Sequence, residues 1–361
     1  MTSKGRIKEM FPGGNTYKGF HSFYDYIISL DEANRKYCIK GGPGVGKSSF
    51  IKSVATHFLD KGCDVELHHC SSDNNSLDAV VIKQAKVAIL DATAPHIVDP
   101  KIPGAVDEIL NFGEYWNEKG FELQRKTLID LNKEKKNMFD SCYRCLMCAK
   151  QIQDDTETIA EQTVDKAKYS DLVLSIKAQL INNVAFTGMA GKDRHLFHSA
   201  LTPNGKIDYV DTIITDDLKC YLLKGNHIKG ASDILSMVAN ELLLKGYDVE
   251  IYHQPLNPQR LETIVIEKLN FALTLDSKVK DKACKVFDLD NAIISEKLQN
   301  KNSLITKNKK MMEMLLDEAY ARIKAAKEKH DELEKKYIPQ MDFAEVDKLK
   351  NKIIKKIESY L

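Results

Sequence analysis

The 361-residue sequence has no strong net charge of either sign and no long apolar run. Its formal net charge of +1 gives the chain no general attraction for nucleic acid or an anionic membrane. No stretch approaches the roughly 18 consecutive apolar residues of a transmembrane helix, and residues 1–14 lack the apolar segment of a signal peptide. We therefore expect a cytoplasmic protein with no membrane partner, for which nucleic acid is not the expected ligand.

Two nucleotide-binding signatures are also missing from the sequence. No Asn-Lys-x-Asp motif, which reads guanine, follows the glycine-rich segment described below, so ATP is favoured over GTP by elimination. The Leu-Ser-Gly-Gly signature of ABC-type engines is absent as well, which argues against a transporter motor.

The eight cysteines include Cys38 and Cys63 in or beside predicted core strands, where a free thiol behaves as a small hydrophobe.

The clearest motif that is present is a P-loop of the form G-x-x-x-x-G-K-[ST]. It consists of Gly41, Gly42, Pro43, Gly44, Val45, Gly46, Lys47 and Ser48. Tyr37-Cys38-Ile39 predicts a strand before it, and apolar residues at helical spacing predict a helix after it. That context places a phosphate at the helix N-terminus. We predict that the loop and Ser49 bind a nucleotide, with Lys47 on the β- and γ-phosphates and Ser48 on Mg²⁺.

A second motif predicts another ligand for the same metal. The apolar run 87–90 ends in Asp91, where a Walker B aspartate would hold Mg²⁺ opposite Ser48. The next residue is Ala92, so the glutamate that many motor-type ATPases use as a base is missing. Candidates for positioning water or an acceptor hydroxyl are Asp73, Asp78 and His96, which follow predicted strands. The alternatives are a solvated loop acid or helix N-cap for Asp73 and a turn histidine for His96.

The second half of the chain repeats the first. Residues 37–90 align without a gap with residues 221–274, and flanking pieces match at other offsets. We align Phe20-His21-Ser22 with Phe197-His198-Ser199, and Phe11 with Phe186. The predicted fold is α/β, with tandem P-loop NTPase-like three-layer units around parallel sheets, each followed by a helical appendage. The units are residues 1–180 and residues 181–361.

The two copies differ at the residues that would bind nucleotide. Ala231 replaces Lys47, Ile228 replaces Gly44, and Leu275 stands opposite Asp91 with Asp276 one residue away. The second loop can keep its fold without these groups, but it should bind a triphosphate poorly. We predict one active site, in the first unit, and one degenerate site.

Three further features are open to a functional and a structural interpretation. Cys142, Cys145 and Cys148 have a spacing at which thiolates hold zinc or iron–sulfur clusters, but we expect them to pack on a helix face. Arg194 or Lys192 is a candidate finger toward the first unit's γ-phosphate, with a surface salt bridge as the alternative. The lysine-rich end 348–356 predicts an amphipathic helix, and the helical appendages are candidate surfaces for a protein partner.

These motifs together resemble a known family. The P-loop, Ser76-Leu77-Asp78, the stretch from Leu90 to His96 and the duplication are similar to those of the duplicated P-loop ATPases of Gram-positive bacteria. The similarity extends over nearly the whole chain, including the segment from Phe11 to Thr16. It implies a P-loop fold and nucleotide binding, without a substrate. In that family the second repeat often keeps a P-loop of its own, from which this sequence departs at Ala231.

The sequence thus predicts a Mg²⁺-dependent ATP-binding protein or ATPase. Lys47 and the loop amides would stabilise the transferring phosphoryl group, while Ser48 and Asp91 hold the metal. One alternative is a small-molecule or nucleotide kinase that uses Asp73 as a base. A non-enzymatic alternative is a nucleotide-gated regulator or assembly factor whose helical appendages bind a partner.

Overall fold

The computed structural model describes residues 4–225 and 230–361. The elements of the first half, up to residue 180, are β1 (Ile7–Met10), β2 (Gly13–Thr16), β3 (Gly19–Ser22), β4 (Arg35–Lys40), α1 (Lys47–Asp60), β5 (Val65–Cys70), β6 (Asp73–Ile82), β7 (Val87–Asp91), β8 (Asp107–Asn111), α2 (Lys119–Glu122), α3 (Arg125–Glu161) and α4 (Lys166–Leu180).

The second half has the same series of strands. Its elements are β9 (Asp193–Leu196), β10 (Ser199–Thr202), β11 (Gly205–Asp208), α5 (Val210–Ile213), β12 (Lys219–Lys224), α6 (Gly230–Leu244), β13 (Val249–His253), β14 (Leu261–Ile266), β15 (Phe271–Thr274), β16 (Ala283–Asp288), α7 (Ser295–Tyr337) and α8 (Phe343–Glu358). Ile228, which we aligned with Gly44, lies outside the described residues.

Each half builds a six-stranded mixed sheet, and the two sheets have equivalent strand orders. The orders are β1-β5-β6-β7-β4-β8 and β9-β13-β14-β15-β12-β16. The predicted α/β class is confirmed, and the sheets, predicted as parallel, are mixed sheets in which most pairings are parallel. β6 and β14 run antiparallel to both neighbours, while the other pairings are parallel. Only Ser71 and Ser72 separate β5 from β6, and so short a connection can join only antiparallel strands.

Helices cover one face of each sheet. In α1, Phe50, Ile51, Val54 and Phe58 recur at helical spacing and are buried against the first sheet. The helix ends before Gly62, whose φ of +86° few other residues adopt easily. The opposite face is covered by the short 3-10 turn Tyr24–Tyr26 and by loop residues. The predicted helical third layer is therefore replaced by irregular segments on this sheet.

The long helices of the two halves form an antiparallel pair. Leu131, near the start of α3, packs with Leu333, near the end of α7. Ile159, near the end of α3, packs with Ile305, near the start of α7. None of the helices in the described ranges is long and apolar enough to cross a membrane.

The terminal helix of each half packs on the sheet of the other half. α4 packs on the second sheet through Ile176 and Leu180. α8 packs on the first sheet through Ile353 and Ile357, which confirms the amphipathic helix predicted for the lysine-rich end. Each sheet is therefore completed by a helix from the opposite half.

Phe11 and Phe197 lie where the two halves meet. The Phe11 N–H donates to the Phe197 carbonyl (2.8 Å), and the Phe197 N–H donates to the Phe11 carbonyl (3.0 Å). Each residue follows the first strand of its half and precedes a two-stranded hairpin. Phe11 is thus equivalent to Phe197, and our alignment of the flanking motifs is wrong, because the strands and hairpins determine the register rather than short identities.

Candidate functional site

The glycine loop, residues 41–48, lies between the end of β4 and the start of α1. Gly44 and Gly46 have positive φ values of +68° and +88°, a backbone region that favours glycine. The Phe50 N–H donates to the Gly46 carbonyl (2.9 Å) and begins the helix. The preceding N–H groups of the first turn have no partner within the helix, and with the helix dipole they favour an anion there. The side chain of Val45 is fully buried and anchors the loop in the core.

Lys47 folds back over this loop. Its Nζ donates to the Gly41 carbonyl (3.0 Å) and to the Gly42 carbonyl (2.6 Å). The same Nζ lies 3.5 Å from Asp91 Oδ2. The structure therefore brings together the predicted lysine, the loop backbone and the predicted Walker B acid.

Asp91 reaches this position because β7 lies beside β4 in parallel, with Asp91 opposite Ile39. Asp91 Oδ1 accepts a hydrogen bond from the Thr93 N–H (2.9 Å). The Thr93 hydroxyl donates to the Gly41 carbonyl (3.0 Å) and thereby fastens the segment after β7 to the loop. Sequence reasoning missed Thr93, although it lies in the quoted stretch two residues after Asp91.

The Ser48 hydroxyl has a structural partner. Ser48 Oγ accepts a hydrogen bond from the Leu77 N–H (3.0 Å), and Ser232 Oγ accepts the equivalent bond from the Leu261 N–H (2.8 Å). The serine therefore ties the helix to the antiparallel strand in both halves. This bond explains why the degenerate half keeps the serine, and Ser49 beside it is exposed.

Residues of α7 and α8 cover the glycine loop, which no sequence motif indicates. A β-carbon on Gly42 would lie 2.5 Å from Tyr337 Cε1, and one on Gly44 would lie 2.9 Å from Glu334 Cα. A β-carbon on Gly46 would lie 3.2 Å from Phe343 Cε1. The loop glycines are thus needed for close approach of the second half as well as for their own backbone angles.

Two charged residues of the long helices also lie near the loop. The pKa of Glu334 is lowered, first by His330, whose Nε2 lies 3.6 Å from Glu334 Oε1, and further by the Gly44 backbone amide. Burial lowers the pKa of Lys135, and the positive charge of Lys47 lowers it further. An acid and a second lysine therefore accompany Lys47 at this place.

The Asp73 carboxylate accepts hydrogen bonds from residues of its own hairpin. Asp73 Oδ1 accepts a hydrogen bond from the Asn75 N–H (3.2 Å), and Oδ2 accepts one from the Ser76 hydroxyl (3.0 Å). Lys327 of α7 lies 3.8 Å from Oδ2. These contacts support the structural interpretation of Asp73 as a turn-stabilising acid, at the start of a strand rather than in a loop.

His96 is buried with Asp78 and Tyr24 beneath the end of the sheet. His96 Nε2 lies 3.7 Å from Asp78 Oδ2, and its ring stacks on Tyr24 with centroids 4.8 Å apart. Burial raises the pKa of the Asp78 carboxyl above its ordinary value. The structure thus brings Asp78 and His96 together, whereas the third candidate base, Asp73, is hydrogen-bonded within its own hairpin.

Arg194 is not a finger for a phosphate. Its guanidinium contacts both Glu66 oxygens (2.6 and 3.0 Å) and Glu250 Oε1 (3.1 Å). Its remaining bonds go to the Tyr26 and Ile27 carbonyls (2.9 and 2.8 Å). The side chain belongs to a buried ion network between the halves. Both interpretations of Arg194, as a finger for the γ-phosphate and as a surface salt bridge, are therefore wrong. Lys192 lies 3.5 Å from Asp31 in an exposed pair.

The described residues on either side of the equivalent loop in the second half, Gly225, Gly230 and Ala231, are closely packed. Ala231, at the position of Lys47, is buried in the core of that half. A β-carbon on Gly230 would collide with the Tyr169 hydroxyl, and one on Gly225 would lie 3.0 Å from Leu289 Cβ. Asp276 does not take the place of Asp91. It caps a 3-10 turn and lies with His198 and Asp208 in a buried charged cluster.

The three closely spaced cysteines of α3 have different surroundings. Cys142 is fully buried with Ala319 and Ile323 between the long helices. Cys145 accepts a hydrogen bond from Arg322, whereas Cys148 is exposed. Their positions agree with packing on a helix face.

Comparison of the chain with models of known protein families, with curated proteins and with solved structures gave no match.

Proposed function

We propose that the chain is a cytoplasmic, Mg²⁺-dependent ATP-binding protein with one nucleotide site, at the glycine loop of the first half. The observation that carries the proposal is the meeting of three groups. The loop has two glycines at positive φ, Lys47 Nζ lies over the loop carbonyls, and Asp91 Oδ2 lies 3.5 Å from that nitrogen. The resemblance to duplicated P-loop ATPases supports the same site.

The residues at this place fit a phosphate and a magnesium ion. The amides of the loop and of the first turn of α1 suit phosphate oxygens. Ser48 Oγ and Asp91 supply the oxygen ligands that Mg²⁺ prefers, and a serine oxygen that accepts one hydrogen bond still has a second lone pair. Held by Ser48 and Asp91, the ion would neutralise negative charge that develops on the phosphates.

Each residue has a distinct role in this proposal. Lys47 would exchange its hydrogen bonds to the Gly41 and Gly42 carbonyls for hydrogen bonds to phosphate oxygens. The latter are stronger because the phosphate carries negative charge. Thr93 keeps the segment after β7 against the loop, so that Asp91 stays beside Lys47. Val45 holds the loop by its buried side chain.

We further propose that turnover is slow. The residue after Asp91 is Ala92, which is buried, so this position offers no carboxylate to activate water. Asp73 accepts bonds from its own hairpin, and His96 lies against Asp78. Slow hydrolysis would suit a timed switch better than a motor.

One observation favours a nucleotide-gated regulator as the second candidate. Tyr337, Glu334 and Phe343 of the second half lie directly against three of the four loop glycines. A bound triphosphate would compete with this covering segment, so binding would be coupled to movement of α7 and α8. Those helices are also the surfaces on which a protein partner would detect the change.

Calorimetric titration with ATP, GTP and a non-hydrolysable ATP analogue, with and without Mg²⁺, tests the proposal. We expect one ATP-selective, Mg²⁺-dependent site per chain, which is lost in Lys47→Ala. The control is Lys52→Ala, since Lys52 is on the same helix but donates to the Asn75 carbonyl. Unchanged affinity in Lys47→Ala would contradict the assignment of the site.

Three further measurements separate the candidate functions. Asp91→Asn should lower Mg²⁺-dependent turnover more than it lowers nucleotide affinity. Release of ADP stimulated by an acceptor would indicate a kinase instead. Tight binding with negligible turnover would indicate the regulator.

A further inference from the structure

A second cluster of chemically active side chains lies in the first half. Cys70 ends β5, Asp78 belongs to β6, and His96 follows β7. One donor atom from each residue lies within 4.8 Å of the other two. The cluster joins a thiol, a carboxylate and an imidazole, and all three residues are buried.

The fold directs Asp78 into this cluster by a β-bulge. His68 of β5 pairs with Ala79, and His69 pairs with Leu77, so that Asp78 is the extra residue of β6. The second half has the same bulge at Glu262, between Leu261 and Thr263. The alignment places Gln254 opposite Cys70, so the thiol is specific to the first half.

The imidazole of His96 lacks ordinary partners. The side chain is only 7% exposed, and its Nδ1 is buried without a hydrogen-bond partner among the described residues. Its Nε2 is 3.7 Å from Asp78 Oδ2, which exceeds hydrogen-bond length. A buried polar group without a partner costs free energy and calls for a specific explanation, such as a bound ion.

Aromatic residues hold the cluster in place. The Tyr24 hydroxyl donates to Asp78 Oδ2 (2.6 Å), and the Tyr24 ring stacks on His96. The Phe20 ring meets the His96 ring edge-on, with centroids 5.0 Å apart. Hydrogen bonds to a ligating carboxylate and a fixed imidazole plane are the supporting contacts that metal sites use.

We propose that Cys70, Asp78 and His96 bind one Zn²⁺ ion, with a solvent molecule as the fourth ligand. Sulfur, nitrogen and oxygen donors together select Zn²⁺ over Mg²⁺, which prefers oxygen alone. Zn²⁺ bonds of about 2.0 to 2.3 Å put tetrahedral donors roughly 3.3 to 3.8 Å apart. The separations within 4.8 Å therefore have to shorten by about an ångström, which small side-chain rotations provide. The Cys70 thiol loses its proton to solvent on binding, and Asp78 and His96 bind as carboxylate and neutral imidazole.

The site is tested with full-length protein stripped by a chelator and titrated with Zn²⁺ against a chromophoric competitor. We expect one equivalent to bind tightly. Co²⁺ in its place should give a thiolate-to-metal charge-transfer band and intense visible bands of tetrahedral cobalt. Cys70→Ser should abolish the charge-transfer band and weaken Zn²⁺ binding by about 100-fold or more, as should His96→Gln. Tyr24→Phe, which keeps all three ligands, should weaken binding about tenfold.

The control is Cys148→Ser, because Cys148 is exposed on α3 and makes no part of the cluster. This variant should keep the full equivalent of Zn²⁺ and the cobalt spectrum. Thermal unfolding with and without Zn²⁺ checks the fold of each variant, and only proteins that retain the site should be stabilised by the metal. Absence of a tight equivalent in the wild-type protein, or an unchanged charge-transfer band in Cys70→Ser, would overturn the proposal.

Discussion

Arg194 of β9 binds Glu66 of β5 through two hydrogen bonds, of 2.6 and 3.0 Å, across the boundary between the two sheets. Lys8 of β1 binds Glu250 of β13 in the mirrored position. Although burial opposes its ionisation, Arg194 holds the pKa of Glu66 well below the usual range. Each half therefore supplies a cation to the acid of the other half, and the ion network joins the two sheets.

Loss of Arg194 should strongly destabilise the protein. Arg194→Met removes the two charged hydrogen bonds of buried Glu66 and leaves it only the partly exposed Lys83 as a cationic partner; removing one partner of comparable buried pairs costs about 3 to 5 kcal/mol. Urea unfolding measures the change. The control is Arg6→Met, because Arg6 and Asp217 form an exposed pair for which we expect less than about 1 kcal/mol. Equal effects of the two substitutions would contradict the importance of the buried network.

The same network predicts a loss of stability in acid. Although burial favours the neutral carboxyl, Lys8 and Arg194 lower the pKa of Glu250 to about 2, from an ordinary 4.5. A carboxyl whose pKa is lower in the folded state stabilises the protein above its unfolded pKa, and this contribution is lost as the pH falls toward 2. Unfolding free energies of wild type and Glu250→Gln should therefore differ most near neutral pH and converge below 4.5. A difference independent of pH would contradict the ion pairing of Glu250.

Removing the charge of Glu334 should improve nucleotide binding. The backbone of Glu334 packs against Gly44, and the Gly44 amide helps to lower the pKa of the Glu334 carboxyl, so this carboxylate would repel a phosphate bound at the loop. We expect Glu334→Gln to bind ATP up to about tenfold more tightly, as measured by calorimetry. Glu332→Gln, which affects an acid paired with Lys329 instead, should leave the affinity unchanged. Weaker binding in Glu334→Gln would show that this acid supports the nucleotide.

Cys142 should contribute to the long helix pair as an apolar group. It is fully buried with Ala319 and Ile323, so a hydroxyl in its place would be buried without the water it prefers. We expect Cys142→Ser to lower the free energy of unfolding by about 1 to 2 kcal/mol. Cys148→Ser, on the exposed side of the same helix, should change it by less than about 0.5 kcal/mol. A metal cluster at these cysteines would instead make the two substitutions equally damaging.

Much of the local structure was predictable because it depends on short-range patterns. Periodicity and glycine placement predict the glycine loop between a strand and a helix, the buried strand that ends in Asp91, and the amphipathic helix at the lysine-rich end. No short-range pattern indicated the antiparallel strand β6. Asp73 and Ser76 resemble loop residues in the sequence because the first part of β6, residues 73–76, consists of polar residues.

The candidate site was predictable only in part. The sequence indicated Lys47, Ser48 and Asp91 because motif spacing constrains them. Arg194 was misjudged because its partners come from another strand and from two backbone carbonyls distant in sequence. Tyr24, which organises Asp78 and His96, precedes them by more than one strand and matches no motif.

The sequence by itself determined the class of fold, the duplication, the terminal helix of the chain and the side chains of the candidate site, Lys47, Ser48 and Asp91. Hydrophobic periodicity, the positions of glycine and internal sequence similarity are read directly from the sequence. They do not depend on how the helices and sheets pack together. The tertiary structure alone decided that α4 and α8 exchange sheets, that Glu334, Tyr337 and Phe343 cover the loop, and that Cys70 meets His96. These contacts join residues far apart in the chain, and burial of apolar surface on two neighbouring sheets, rather than any nearby pattern, brings them together.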